Sequence, residues 1–573
     1  MKLLKNESLS VETLTNNSRY EIMVISLLIT NKSFGSKELY KNIAFEVQDG
    51  EKIAVIGRNG CGKSTLFNIA AGIDNDYQGQ MTVKKGSTVI FSRQEHTGFE
   101  NMPVVDYITG DLPEYSQLKA TIDEYPVLDH PSNSKLEKYS EAIERFSSLN
   151  YFDIEPQLLE AFSAYQLDPV LLTSKLGTLS GGQKRLIELI KIQRSKADLA
   201  LIDEPTNHMD YVAKDAFIRW LKATKEAVLV ISHDRDLLME VDKIIEIRDG
   251  QSFIYKGSYK EYLKSNNNKI TSEVNEYGLT QSRIKNLKDD VLRFKRLKDK
   301  SRDPGTIKRF KNLEEKTRQE IIELEKQEKP SFWIDKESAE SLKPKVVEQY
   351  NQYKTRNINI RLKSDDSSGR LILEAVNLSL SYSDTPLFQE VSFRLYKGGC
   401  LRIHGRNGAG KTTLVRTILE KAVNASLSAN ILKGNIAVEK HLRIGVYNQE
   451  INPKLNELSL SEAIASYYDE IDRPISDQKI RQLLSEYLFD PISDFNTKVD
   501  FLSGGQKARL QIIQMLANEP DLLVLDEPTN HLDLPSIEEL EEALKSYTGA
   551  ILYISHDNFF ATNLKGEVIQ LTS

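Results

Sequence analysis

Apolar residues are distributed along the chain in two ways, and each way predicts a different kind of element. Short apolar runs at 53–56, 200–202 and 523–525 are followed directly by glycine or acidic residues, a pattern typical of buried strands in an α/β fold. Between 284 and 324, apolar residues instead recur every three or four positions, with an interruption at Asp303-Pro304-Gly305. This spacing predicts a helical hairpin with its turn at Pro304-Gly305.

The same ordered set of short sequences occurs twice. The serine of each LSGGQ sequence lies 23 residues before an aspartate (Asp203, Asp526), and a histidine follows that aspartate 30 residues later (His233, His556). Such repeated spacing indicates a duplicated domain. Upstream of this region the first copy has about 25 additional residues, mostly near a charged stretch at 135–162. This stretch predicts a longer helical subdomain, with a dedicated binding arm as the alternative.

Composition excludes several classes of protein. The 573 residues contain no apolar run near the roughly 20 residues that a membrane-spanning helix needs, and the first residues lack the layout of a secretory signal. Two cysteines, Cys61 and Cys400, are too few and too far apart for a zinc or iron–sulfur cluster. A net charge of −7 argues against general nucleic-acid binding by the whole molecule. We therefore expect a soluble, cytoplasmic protein without a transmembrane segment.

Each copy contains a phosphate-binding loop (P-loop) directly after a strand: GRNGCGKST from Gly57 and GRNGAGKTT from Gly405. Glycines let backbone N–H groups converge on phosphate oxygens at a helix N-terminus, and the lysine neutralises the β- and γ-phosphates. The hydroxyl after the lysine is a ligand for Mg²⁺. We predict two sites for ATP and Mg²⁺, with phosphate-binding residues Gly57, Asn59, Gly60, Gly62, Lys63, Ser64, Thr65, Gly405, Asn407, Gly408, Gly410, Lys411, Thr412 and Thr413.

A later apolar strand in each copy ends in two acidic residues, Asp203-Glu204 and Asp526-Glu527. In a P-loop protein the first acid holds Mg²⁺ through water, and the second polarises the water that attacks the γ-phosphate. A solvated acidic turn is the alternative, and the strand context disfavours it. We therefore predict that Glu204 and Glu527 are catalytic.

The sequence LSGGQ at 179–183 and 502–506 resembles the signature of ATP-binding cassette proteins. In that family the signature of one cassette closes over the P-loop of the other. The resemblance implies one ATP between Lys63 and Ser503 and another between Lys411 and Ser180, so that neither copy is competent alone. The implied signature residues are Ser180, Gly181, Gly182, Gln183, Ser503, Gly504, Gly505 and Gln506.

The same resemblance assigns roles to further pairs of residues. His233 and His556 match the catalytic switch histidine of the family. Gln94 and Gln449 match its glutamine loop, which senses the metal and its water. The residues expected around Mg²⁺ are thus Ser64, Gln94, Asp203, Thr412, Gln449 and Asp526.

Aromatic residues upstream of each P-loop are candidates to stack on adenine. Phe34 and Tyr382 both lie 23 residues before the first loop glycine, and we predict that they take this role. Tyr40 and Phe388, both 17 residues before it, are a second candidate pair. Ordinary core packing is the alternative for either pair.

The segments DEPTNHMD (203–210) and DEPTNHLD (526–533), on one chain with a charged helical connector, resemble the ABC-F family over about residues 23–573. The resemblance implies an α/β fold of two P-loop NTPase ATP-binding cassette domains joined by an α-helical hairpin. The expected division is 1–22, an N-terminal extension whose order the sequence leaves open, then 23–265 for the first cassette, 266–369 for the linker and 370–573 for the second cassette. A monomer with an intramolecular cassette dimer follows.

ABC-F proteins bind the ribosome and point their hairpin toward tRNA, so the resemblance implies the ribosome, with its rRNA and tRNA, as partner. The hairpin's charge is consistent with this, since residues 281–311 contain twelve Lys or Arg against four Asp or Glu, a net charge of +8. A solvated basic helix is the alternative. The expected RNA-binding residues are Arg293, Lys295, Arg296, Lys298, Lys300, Arg302, Lys308, Arg309 and Lys311.

Three functions share parts of this pattern. A general translation factor and a factor that protects the ribosome from antibiotics have the same motifs, and the sequence does not separate them. In both, ATP would clamp the cassettes on the ribosome and hydrolysis would release them. The ATPase subunit of a transporter with separate membrane subunits is the alternative from another class, although it has no use for a basic hairpin.

Overall fold

The computed structural model describes residues 23–34, 37–92, 98–127, 132–207, 209–325, 369–382, 386–448 and 451–572. The expected extension at 1–22 and the glutamines Gln94 and Gln449 lie outside the described residues. Below, the first half denotes residues 23–258, the hairpin residues 259–325 and the second half residues 369–572.

The first half opens with an antiparallel sheet. Its third strand has the sequence IAFEVQ and buries every second side chain, as a strand with one face on the core does. Strand β1 lies at the centre of this sheet, between its neighbours β3 and β5, and its end also pairs with β2. The bounds are β1 Met23–Phe34, β2 Lys37–Tyr40, β3 Ile43–Gln48 and β5 Gln78–Val83.

A six-stranded sheet in the order β10-β9-β4-β8-β7-β6 carries the nucleotide-binding motifs of the first half. All neighbours are parallel except β10 and β9. Because both faces are covered, β7 and β8 are buried along their whole length, which explains their continuous apolar sequences. The bounds are β4 Lys52–Gly57, β6 Val89–Phe91, β7 Leu199–Asp203, β8 Ala227–Ile231, β9 Lys243–Arg248 and β10 Gln251–Lys256.

Helices of the first half pack against this sheet, and those of the additional segment share a core cluster with it. The stretch predicted to be helical at 135–162 is two helices, α4 and α5, separated by a short turn at 151–153. Phe146 packs inward from α4, while Phe152 in the turn is exposed. The bounds are α1 Lys63–Ala70, α2 Val104–Gly110, α3 Tyr115–Glu124, α4 Asn133–Ser148, α5 Ile154–Ala164, α6 Gly181–Ser195, α7 Tyr211–Ala223 and α8 Arg235–Leu238.

The predicted hairpin is two long helices, α9 (Tyr259–Lys300) and α10 (Pro304–Glu325). Its turn lies at 301–303, just before the predicted position, because Pro304 begins α10 and the Asp303 carboxylate accepts a hydrogen bond from Thr306 N at 2.7 Å. Helix α9 begins seven residues before the expected start at 266, where Ser258 and Glu261 form a capping box. Between the arms, Ile284, Val291 and Ile321 form a small core.

The second half repeats the architecture with fewer strands. An antiparallel sheet in the order β12-β11-β14 faces a parallel sheet in the order β15-β16-β17-β13-β18. The strands are β11 Leu371–Ser381, β12 Phe388–Tyr396, β13 Cys400–Gly405, β14 Asn430–Val438, β15 Ile444–Tyr447, β16 Leu522–Asp526, β17 Ala550–Ile554 and β18 Glu567–Leu571. The helices are α11 Lys411–Ala422, α12 Leu460–Glu470, α13 Asp477–Glu486, α14 Gly504–Leu516, α15 Leu534–Ser546 and α16 Asn558–Leu564.

Among the residues that the structure describes, no helix combines the length and the apolar character needed to cross a membrane.

Candidate nucleotide-binding sites

The first P-loop connects the end of β4 to the start of α1. Lys63 Nζ donates hydrogen bonds to the carbonyl oxygens of Gly57 at 2.8 Å and Arg58 at 3.2 Å, so the ammonium group lies over the loop. Gly62 has φ +100°, and a Cβ there would lie 2.6 Å from the Tyr40 hydroxyl. Tyr40 is buried and donates a hydrogen bond to Gly62 O. Tyr40 therefore supports the loop from the core.

The second P-loop, between β13 and α11, has the same construction. Lys411 Nζ donates to the carbonyl oxygens of Gly405 at 2.8 Å and Arg406 at 3.0 Å. Phe388 is buried behind the loop, and a Cβ on Gly410 would lie 3.0 Å from its ring. Both members of the second aromatic pair, Tyr40 and Phe388, thus pack under the loops.

A hydroxyl and a carboxylate meet beside each lysine. Thr412 Oγ1 donates to Asp526 Oδ2 at 3.2 Å, and the Ser64 side chain makes the corresponding hydrogen bond to Asp203. Burial raises the pKa of both aspartates, against the effect of these hydrogen bonds. Hard oxygen donors next to a phosphate-binding loop are the ligands that Mg²⁺ uses, and the donor set fits this ion.

A glutamate and a histidine face each other at the end of the same strands. The Glu204 Oε1 to His233 Nε2 distance is 3.6 Å, and the Glu527 Oε1 to His556 Nε2 distance is 3.5 Å. Both glutamates have positive φ, +47° and +49°, a conformation that L-residues rarely adopt and that concentrates at functional sites.

The electrostatics of the two pairs are also alike. Burial, and then the neighbouring aspartate, raise the pKa of Glu204 to about 8 and that of Glu527 to about 7. Burial, and then the P-loop lysine, lower the pKa of His233 to about 3 and also lower that of His556. In the nucleotide-free protein the histidines are therefore neutral. Each glutamate is a carboxyl whose proton affinity suits proton transfer near neutral pH.

Residues of both halves line the cleft at the first P-loop, which has a volume of about 870 Å³. Its lining includes Lys63, Gly181 and Glu204 of the first half, and Ser503 and Gly505 of the second half. A Cβ on Gly505 would lie 2.0 Å from Asn59 Nδ2, so only glycine permits this approach. The volume is in the usual range for small-molecule sites.

Two aspartates join the halves by equivalent hydrogen bonds. Asp533 Oδ1 caps helix α15, and its Oδ2 accepts from Asn59 N in the first P-loop at 3.0 Å. Asp210 Oδ1 caps α7, and its Oδ2 accepts from Asn407 N in the second P-loop at 3.0 Å. Both aspartates were missed as site residues, although they end the matching segments DEPTNHMD and DEPTNHLD.

The signature sequences lie at helix N-termini. Ser180 and Ser503 cap α6 and α14, and each forms a capping box with the glutamine three residues later. The N–H groups at a helix start favour an anion. Ser503 reaches the cleft of Lys63, and at the second loop the halves meet through the hydrogen bond from Asn407 N to Asp210.

The remaining predicted residues are distributed as follows. Tyr382 is 55% exposed, and Phe34 is the last residue of β1. Lys298 forms an ion pair with Glu314 at 2.8 Å inside the hairpin. The other eight predicted RNA-binding residues are exposed, and no ion pair joins them to another described residue: Arg293, Lys295, Arg296, Lys300, Arg302, Lys308, Arg309 and Lys311.

These sites define the class of the protein, a tandem P-loop ATPase whose two nucleotide-binding halves face each other. The family described as "ABC transporter" matches residues 40–207 and 388–530, one stretch in each half. The chain therefore belongs to the ABC transporter family, whose nucleotide-binding domains bind and hydrolyse ATP, and it is an ATP hydrolase.

Individual relatives indicate which type of ABC protein this chain is. "Putative ATP-binding protein YdiF" of Bacillus subtilis is 29% identical over 560 residues, which cover 96% of this chain and 80% of that protein. "ABC transporter F family member 5" of Arabidopsis thaliana is 29% identical over 570 residues, 94% of this chain and 74% of that protein. The predicted ABC-F type is thereby confirmed.

A solved structure shares the fold over most of the chain. It is the complex of the archaeal ribosomal stalk protein aP1 with the archaeal ribosome recycling factor aABCE1, which matches with a TM-score of 0.51 and 15% identity over 96% of this chain and 87% of that one. The predicted fold class, two P-loop cassettes on one chain, is confirmed by this likeness and by the two family matches.

Proposed function

We propose that this chain is a cytoplasmic ABC-F factor that binds the ribosome when ATP holds its two halves together. There it acts on translation or protects the ribosome from antibiotics, and it leaves after hydrolysis. The observation that carries the proposal is the distribution of charge on the hairpin. The names of the relatives support only the ABC-F type, whereas the hairpin supplies the chemistry that recognises RNA.

Two cations away from the tip of the hairpin form ion pairs between its arms, whereas most of those near the tip form none. Arg283 pairs with Glu320 at 2.6 Å and Lys288 with Glu325 at 2.8 Å, across the two arms. Eight of the nine cations from 293 to 311 are exposed instead, on both sides of the turn. Phe294 and Phe310 stack between the arms there, which keeps the two rows of cations at a fixed separation.

A pair of packed helices with cations on both arms fits a phosphate backbone better than it fits an apolar protein surface. Each phosphate that a cation neutralises releases a counterion, so affinity would fall steeply as salt rises. The partner that this chemistry favours is RNA, as rRNA or tRNA. The tip of the hairpin is basic although the chain as a whole has a net charge of −7.

ATP hydrolysis would control this binding through the contacts between the halves. Asn59 and Gly505 already touch across the first site, so nucleotide phosphates between Lys63 and Ser503 would add attraction on both sides of the same cleft. Glu204 and Glu527 would orient and deprotonate the attacking water, and His233 and His556 would hold the carboxylates and the γ-phosphate in place. Mg²⁺, held by the Ser64–Asp203 and Thr412–Asp526 pairs, would neutralise the developing phosphate charge.

Ribosome co-sedimentation tests the proposal with the Glu204→Gln, Glu527→Gln double variant, which should bind ATP without hydrolysing it. We expect pelleting that depends on ATP and weakens as salt rises. In the same background, changing Arg293, Arg296, Lys300 and Arg302 to Gln should lower the slope of log K against log salt by about 0.7–0.9 for each phosphate that the variant no longer neutralises.

A charge-matched control separates local recognition from net charge. Four exposed cations on the second half, Arg370, Arg394, Arg416 and Lys433, are changed to Gln and should leave pelleting close to that of the parent. Equal loss of pelleting in the tip and control variants would contradict recognition by the hairpin. No pelleting in any nucleotide state, with capture of membrane proteins instead, would favour the transporter subunit.

A further inference from the structure

The two nucleotide sites differ in the strand that leads into each P-loop. Counted back from the first loop glycine, β4 has Ala54 and Ile56 where β13 has Arg402 and His404. Positions two apart lie on the same face of a strand. That face is apolar in the first half, where both residues belong to the core, and polar in the second half.

His404 lies between the two halves. Its Nδ1 is 2.8 Å from Gln570 Oε1 on the neighbouring strand, which fixes the plane of the ring. One ring face stacks on Tyr211 of the first half, with centroids 4.9 Å apart and planes 30° apart. The ring of His556 lies at 6.2 Å in an edge-to-face arrangement. His404 therefore connects a residue of the opposite half to the switch histidine of its own half.

Arg402 holds the segment that contains His556. Its guanidinium donates to the carbonyl oxygen of Ser555, with the shorter of two hydrogen bonds at 2.7 Å. Ser555 directly precedes His556, whose Nε2 is 3.5 Å from Glu527. A shift of this segment would change the distance between the switch histidine and the glutamate.

Tyr211 is well placed to report the approach of the first half. It directly follows Asp210, the residue whose carboxylate accepts from Asn407 N in the second P-loop. The matching residue in the other half, after Asp533, is Leu534, which packs in the same core cluster as Ile56. The first site thus has two aliphatic residues of one core cluster where the second has an aromatic stack that reaches its switch histidine.

We propose that His404 is a positioning residue for ATP hydrolysis at the second site. His404 holds His556 in register with Glu527 only when Tyr211 of the first half stacks on the His404 ring. The proposal rests on the assignment of Glu527 and His556 to hydrolysis. Hydrolysis at the second site then depends on close approach of the halves, through a contact that the first site lacks. Hydrolysis at the two sites is therefore controlled differently within one chain.

Single-site backgrounds test the proposal on the full chain. Glu204→Gln leaves turnover to the second site, and Glu527→Gln leaves it to the first. The paired change His404→Ile with Tyr211→Leu gives the second site the same aliphatic residues that the first site has at the corresponding positions, Ile56 and Leu534. In the Glu204→Gln background we expect kcat to fall roughly two- to tenfold, the range that loss of one aromatic pair allows, while KM for ATP changes by less than about twofold.

The controls distinguish positioning from general structural damage. In the Glu527→Gln background the paired change should leave kcat unaltered. In the Glu204→Gln background, Tyr211→Phe with His404 unchanged should keep kcat at the value of the parent, because the ring stack is kept. An equal fall in both backgrounds, or no fall in the Glu204→Gln background, would overturn the proposal. Absence of turnover in the unmodified Glu204→Gln parent would overturn the assignment of Glu527 as well.

Discussion

Arg235 forms a buried ion pair between the halves and is the most informative residue to change. Its Nη1 lies 3.1 Å from Glu541 Oε1 in the second half, and Glu538 approaches the same guanidinium at 3.8 Å. The other Glu541 oxygen accepts from Asn563 Nδ2 at 2.8 Å. Arg235 is 6% exposed and Glu541 4% exposed, so water cannot replace a missing partner.

We expect Arg235→Met to destabilise the protein severely. Methionine keeps most of the side-chain volume but leaves the Glu541 carboxylate buried without its main cation, and breaking a buried pair in this way costs about 3–5 kcal/mol. For a half of about 200 residues this corresponds to a fall of roughly 6–20 °C in melting temperature. Removing both charges, with Glu541→Met added, should recover most of this stability, because a well-packed apolar pair of similar volume is often as stable as the ion pair.

Thermal unfolding of the nucleotide-free protein measures the effect. The matched control is Arg283→Met, which breaks the exposed hairpin pair with Glu320, where the side chains are 63% and 39% exposed. An exposed pair is worth about 0–1 kcal/mol. If Arg235→Met lowered the melting temperature no more than Arg283→Met, or if the double change were as damaging as the single one, the reasoning from burial would be refuted.

Three further expectations concern the nucleotide sites. Gly505→Ala should lower ATPase activity, because its Cβ would meet Asn59 across the first site, whereas Gly110→Ala, which has open space around it, should not; steady-state ATP hydrolysis measures both. Glu204→Gln should flatten the pH dependence of stability in the nucleotide-free protein. The folded pKa of this carboxyl, about 8, lies above its unfolded value, so wild-type stability falls as pH rises between the two, and the gain in melting temperature from Glu204→Gln should be absent near pH 4 and largest near pH 8. Tyr382→Ala should raise KM for ATP about fivefold in the Glu204→Gln background if the ring stacks on adenine, and an unchanged KM would contradict that role.

Local patterns predicted the architecture because the duplicated motifs are contiguous in sequence. The strands before the P-loops and the acidic strand ends each depend on a few neighbouring residues, and each formed where its pattern indicated. The hairpin followed from spacing alone. Its first helix begins earlier than expected, and its turn also differs, since Pro304 favours the first position of a helix over the turn itself.

Contacts between the halves were harder to predict because they join residues that are far apart in the chain. Nothing in the sequence around Arg235 indicates Glu541, which lies 306 residues later. The stack of His404 on Tyr211 is equally distant and has no counterpart in the first half to reveal it by repetition. A repeated sequence reveals the residues that both halves share, whereas these two pairs lie at positions where the halves differ.

The base of the hairpin lies next to the elements that would respond to nucleotide. Tyr259 and Tyr262, in the first turn of α9, pack in one core cluster with Leu237 and Leu238, which follow His233. Arg235, on that same short helix, carries the ion pair to the second half. A movement of the halves at Arg235 must therefore be accommodated where α9 begins. Because α9 extends for 42 residues, a small rotation at its base becomes a large displacement of the basic tip.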